Sequence, residues 1–156
     1  MTRRTELFQA LEATPRDLTR TLRNLSPLAR FTRIVPDQWS LADILHHLLS
    51  VEIRTLARLH RVAEEPVPII PHILPDPTPY DLTVPFDDLL PRFTAARTQT
   101  LAYLQPLPTG IWARPAYFED SQKTTFRALV QALVDHDTEQ LNQIVLTKNA
   151  LTKLIS

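Results

Sequence analysis

The chain has 156 residues, 17 basic and 17 acidic side chains, no cysteine and one glycine. That length supports one domain, spanning 1–156, with its own core, and the balanced charge provides no basic track for nucleic acid or an anionic membrane. The missing cysteines exclude thiolate catalysis, disulfides and cysteine-based zinc sites, and Gly110 alone is too little for a glycine-rich phosphate loop.

Along the chain, Leu7, Leu11, Leu18, Leu22 and Leu25 recur at helical spacing and predict a first helix over about 3–25. Thr14-Pro15 interrupts the pattern: either the helix kinks there, or Thr14 caps a second segment that opens on Pro15. Pro27 and Pro36 bracket a connector. Ser40-Leu41-Ala42-Asp43 then reads as a capping box that starts a helix running to about Ala63, with Leu41, Ile44, Leu45, Leu48, Leu56 and Leu59 on one face.

Six prolines between Pro66 and Pro79 forbid regular structure, and the stretch to Pro85 is long enough to cross the outside of the domain. A third long helix is expected over about 86–105, burying Leu89, Phe93, Ala96, Thr100, Tyr103 and Leu104. After a loop holding Gly110, Trp112 and Pro115, Thr124 or Thr125 caps the longest helix, which runs to about Leu151. Four amphipathic helices without a convincing alternating strand predict an all-α four-helix bundle, and the loop lengths favour a crossover connection.

Two segments carry the chemistry. On the last helix, Asp137 and Gln140 fall inside the apolar arc defined by Phe126, Leu129, Val130, Leu133, Leu141 and Ile144, with His136 flanking it. On the helix from Ser40, Glu52 lies inside the arc and His47 borders it, one turn after Asp43. Buried polar groups need partners, so these positions imply a polar cavity, a hydrogen-bond network or a metal. With the two helices face to face, His47, His136 and Gln140 meet, and Asp43, Glu52 and Asp137 orient them. From spacing alone, the competing reading is two core-edge histidines hydrogen-bonded to carboxylates. His60 and His72 read as surface or loop residues, and Trp39 and Trp112 as packing anchors.

In the order Thr14-Pro15, Trp39-Ser40, His47, Glu52, the proline-rich crossover ending at Tyr80, Phe93 with Arg97, Trp112 with Arg114, and His136-Asp137 with Gln143-Ile144, the chain resembles the DinB-like helix-bundle superfamily. The resemblance implies a crossed-over, often dimeric, four-helix bundle whose three histidines bind zinc or nickel at one end. It places the first two ligands at His47 and His136, and puts Gln140 where the family has its third histidine. Family members include transferases and isomerases that use a low-molecular-weight thiol.

Replacing an imidazole by a neutral amide weakens a zinc site. The expectation is therefore a metal-free small-molecule or protein-binding module, holding no cofactor or only a weakly bound zinc or nickel ion. The alternative is a divalent-metal-dependent thiol transferase or hydrolase-like enzyme. A homodimer is also expected: the first 35 residues hold seven arginines against three acids, and residues 36–90 three arginines against nine acids, a complement that can act within the bundle or between subunits. No run approaches the roughly 20 apolar residues of a membrane span. Met1 to Glu6 leads into an amphipathic pattern, so a soluble cytoplasmic protein is expected.

Overall fold

A computed structural model of the chain describes residues 3–73 and 83–155. The centre of the expected proline-rich crossover, with Pro75, Pro77, Pro79 and Tyr80, lies outside the described residues. Four long helices dominate: α1 (Arg4–Thr21), α3 (Leu41–Glu64), α4 (Phe86–Leu104) and α6 (Phe126–Ile155). Two short helices occupy connectors, α2 (Pro27–Phe31) and α5 (Thr109–Trp112).

Helix α1 packs on α4 and α6, and α3 packs on the same two. Helices α1 and α3 therefore sit diagonally across the bundle. One apolar cluster joins Leu7 and Leu11 to Leu59, Val62, Leu104, Phe126 and Val130, and a second joins Leu18 and Leu22 to Leu41, Leu45, Leu89, Ile144 and Leu151. This pairing of ends makes α3 parallel to α4 and α1 parallel to α6, with the two pairs opposed. Parallel neighbours cannot be joined by a tight turn, which is why the chain after α3 must travel the length of the bundle before α4 begins.

A small sheet departs from the all-helical expectation. Strand β1 (Ile69–Ile70) runs parallel to β2 (Pro115–Phe118), which pairs antiparallel with β3 (Lys123–Thr125). Its strands have two to four residues, too short for alternation to register in the sequence. The sheet ties the crossover to the loop before α6: Tyr117 N–H donates to Pro68 O at 3.0 Å, and Glu119 N–H to Ile70 O at 3.2 Å.

Proline does not divide α1. The helix continues through Pro15, and neither a second segment nor a Thr14 cap forms. The last helix starts as expected, with Thr125 Oγ1 accepting from Ala128 N–H at 3.1 Å, and extends four residues past the expected Leu151. Ser40 and Asp43 form the capping box: Ser40 Oγ accepts from Asp43 N–H at 3.1 Å, and the Asp43 carboxylate from Ser40 N–H at 2.9 Å. Arg33 Nε donates to the same carboxylate oxygen at 2.9 Å. Burial acts to raise the Asp43 pKa, but the bonds from Arg33 and Ser40 outweigh it and hold the carboxyl below its ordinary value.

Ser40→Ala should lower stability by about 1 kcal/mol, read from urea unfolding with an unchanged slope. Because the Asp43 pKa is depressed in the folded state, its contribution is complete above the unfolded carboxyl pKa of about 3.9 and is lost as pH falls through the lower folded value. The stability gap between the native protein and Asp43→Asn should thus close in acid.

Candidate functional site: a buried charge network beside a histidine pair

Between the two apolar clusters lies a layer of buried polar side chains: Thr14, Glu52, Arg97 and Asp137, each 1–3% exposed. Arg97 is its centre, and all five of its N–H bonds are used. Nε and Nη2 donate to Glu52 Oε2 and Oε1 at 2.9 and 2.8 Å. Nη1 and Nη2 donate to Asp137 Oδ2 and Oδ1 at 2.8 and 3.0 Å. The remaining Nη1 hydrogen goes to the Leu11 carbonyl at 2.8 Å.

That last acceptor exists because of Pro15. In a helix the Leu11 carbonyl would receive the amide of residue 15, and proline has none to give. Thr14, beside it, donates its hydroxyl to Asp137 Oδ2 at 2.8 Å. The Thr14-Pro15 pair thus converts a break in backbone hydrogen bonding into two contacts to the buried network. Burial opposes the Arg97 charge, yet its bonds to Glu52 and Asp137 prevail and raise its pKa above the ordinary arginine value.

One turn away, His47 of α3 meets His136 of α6 with their Nε2 atoms 3.0 Å apart. Trp39 packs against the His47 ring with centroids 4.7 Å apart. Burial lowers the His136 pKa, with Asp137, Glu139 and Glu52 opposing the shift, so the ring is held neutral. The pair makes an N–H···N hydrogen bond with one ring as donor, the direction depending on the tautomer.

The pair forms part of the wall of a cavity of about 270 Å³. Val51, Thr55 and Arg58 extend that wall along α3, and Leu129, Ala132 and Leu133 along α6. His72, Ile73 and Phe118 close it from the sheet side. His72 stacks on Phe118 at 4.0 Å with rings 10° from parallel, and its Nε2 lies 3.1 Å from Asp120.

Of the residues expected at the site, His47 and His136 come together, and Glu52 and Asp137 are joined through Arg97. Asp43 is committed to Arg33 and the start of α3. Gln140 is buried at 8% exposure, and its Oε1 has no hydrogen-bond partner among the described residues. Arg97 figures in the sequence only as part of the family resemblance; its burial, and the place of Arg58 and His72 in the cavity wall, were not expected. Leu89, Phe93, Thr100 and Leu104 are buried as expected on α4, but Arg97 holds the centre of that face where Ala96 was expected. Its signal was present: Phe93, Arg97, Thr100 and Leu104 share one helical stripe.

The residues meet a resident metal only in part. Two imidazoles sharing a tetrahedral zinc ion at roughly 2.0–2.1 Å would place their nitrogens about 3.4 Å apart, wider than the separation here. Among the described residues, no group of three or more His, Cys, Asp or Glu side chains is placed to hold an ion. The described residues bring together two imidazoles, His47 and His136, short of the three-ligand site that the family resemblance implies, and Gln140 is not among the residues lining the cavity.

The architecture defines the class of protein: a crossed-over four-helix bundle with its pocket between helices. The chain belongs to the DinB superfamily, whose family model matches residues 10–144. It is similar in structure to YfiT from Bacillus subtilis, described as a probable metal-dependent hydrolase with an unusual four-helix bundle topology. The TM-score is 0.80 at 17% identity, covering 97% of this chain and 91% of that one. None of the curated proteins matches the chain.

Removing the Arg97 cation strands two buried carboxylates, so Arg97→Met should cost about 3–5 kcal/mol. Replacing all three charges together, as Glu52→Leu with Arg97→Met and Asp137→Leu, should recover most of that loss. Urea unfolding of the two proteins checks both; a triple variant less stable than the single one would show that the charges stabilise beyond their mutual compensation.

Proposed function

We propose that this protein is a metal-free small-molecule-binding member of the DinB fold, with His47 and His136 as a hydrogen-bonding pair on the wall of its binding cavity. The observation that carries the reading is the 3.0 Å Nε2–Nε2 separation beside a cavity of about 270 Å³, together with a donor set short of a third strong ligand. By exchanging its mutual Nε2 bond for bonds to a ligand, the pair would give that ligand one donor and one acceptor in a largely apolar surround, the pattern that fixes orientation in small-molecule sites.

A second reading is a divalent-metal-dependent enzyme of the hydrolase or thiol-transferase kind, in line with the description of YfiT. The Gln140 Oε1 favours it, since a buried amide oxygen without a partner among the described residues suits a weak oxygen ligand. The proposal also includes a homodimer in the cytoplasm. Ile53 of α3 and Val145 and Leu146 of α6 are exposed apolar side chains that pairing would cover, and no described helix is long and apolar enough to cross a membrane.

Elemental analysis separates the two readings. Protein purified without chelator should carry zinc or nickel well below one ion per chain, and Gln140→His should raise it to roughly one, because the new imidazole lies one turn from His136. Added zinc should then raise the melting temperature of Gln140→His more than that of the native protein. A full metal complement in the native protein would favour the enzyme. Light scattering should report a dimer at micromolar concentration, and a monomer there would remove that part of the proposal.

A further inference from the structure

Arg58 is the cation in the cavity wall that the network does not use. Its surroundings differ from those of Arg97 in one respect. Arg97 directs its Nε–Nη2 edge at the Glu52 carboxylate, as a two-point fork. Among the described residues the buried Arg58 Nε has no acceptor, and the guanidinium's hydrogen bond is from Nη1 to the Pro71 carbonyl at 3.3 Å. Among the described residues no carboxylate lies within ion-pair distance of it. Burial, reinforced by the neighbouring Arg54 charge, pushes its pKa down to about 10, still well above neutrality, so the group stays charged without an opposite charge beside it among the described residues.

A half-buried guanidinium without an ion-pair partner among the described residues is matched by a carboxylate, which accepts charge-assisted N–H bonds. The rest of the lining selects further. Val51, Ile73, Phe118, Leu129 and Leu133 are apolar, and the cavity is smaller than the roughly 300–1,000 Å³ typical of drug-sized ligands. His72 is already engaged by Asp120, whose carboxylate near the mouth disfavours a dianion. We propose that the cavity between α3 and α6 binds a small monocarboxylate with an apolar body, its carboxylate on Arg58 and its far end toward the His47–His136 pair. This deepens the small-molecule reading above and rests on it.

The test uses the full chain and three probes: 3-phenylpropanoate, its neutral amide, and inorganic phosphate, titrated calorimetrically. The carboxylate should bind at least 10-fold more tightly than the amide, and phosphate should not compete with it. Arg58→Gln should weaken the carboxylate about 10-fold and leave the amide unchanged, abolishing the preference. Ala132→Phe, at an exposed position in the wall, should block both organic probes while leaving the melting temperature near that of the native protein. Equal binding of acid and amide, or a preference that survives Arg58→Gln, would overturn the Arg58 assignment while leaving the cavity a binding site. Phosphate binding as tight as that of the carboxylate would overturn the monocarboxylate class. If neither organic probe binds, the assignment falls together with the small-molecule reading of this cavity.

Discussion

The fold turns on a guanidinium that has no water to bind. Buried Arg97 must give each of its five N–H groups an acceptor inside the bundle, and the acceptors come from three helices: Leu11 in α1, Glu52 in α3 and Asp137 in α6. All four long helices are thereby fixed to one planar group. Non-directional apolar packing tolerates small rotations of one helix against another, whereas two forked ion pairs in one plane do not. Glu52 lies five residues after His47, and Asp137 follows His136 directly. The network accordingly sets the rotation of the two helices that carry the histidines.

This separates what holds the pocket from what the pocket holds. The helices that carry the histidine pair are fixed by carboxylates bound to a protein cation, so a change at Gln140, where the family resemblance puts a third ligand, leaves the scaffold standing. Gln140 sits in α6 one turn from His136 and outside the Arg97 hydrogen bonds. The bundle is therefore held independently of what occupies position 140.

Much of this was legible in the residues. The four long helices, the capping box at Ser40 and the inward positions of Glu52, Asp137 and Gln140 follow from period and polarity alone. The burial of Arg97 was not expected because an arginine in a helical stripe ordinarily snorkels to solvent, and only its two carboxylate partners, 45 and 40 residues away, make that burial tolerable. Pro15 was expected to interrupt α1 because its local effect is plain, whereas the compensating donor arrives from α4. The strands of the small sheet are too short for any periodicity, and His72 enters the cavity wall only because β1 pairs with β2. What the sequence withheld was in each case a long-range partner.

The central claim is that the charge network, beyond filling the core, imposes the geometry of the histidine pair. Nuclear magnetic resonance of protein with labelled imidazole nitrogens, freed of metal by chelator, reports this directly through the coupling across an Nε2–H···Nε2 hydrogen bond. In the native protein, a coupling between His47 and His136 is predicted. It should be lost in the triple variant Glu52→Leu, Arg97→Met, Asp137→Leu, whose core is refilled with apolar side chains but whose helices are no longer fixed in rotation. An undiminished coupling in a folded triple variant would contradict the account, since packing alone would then suffice to place the two rings.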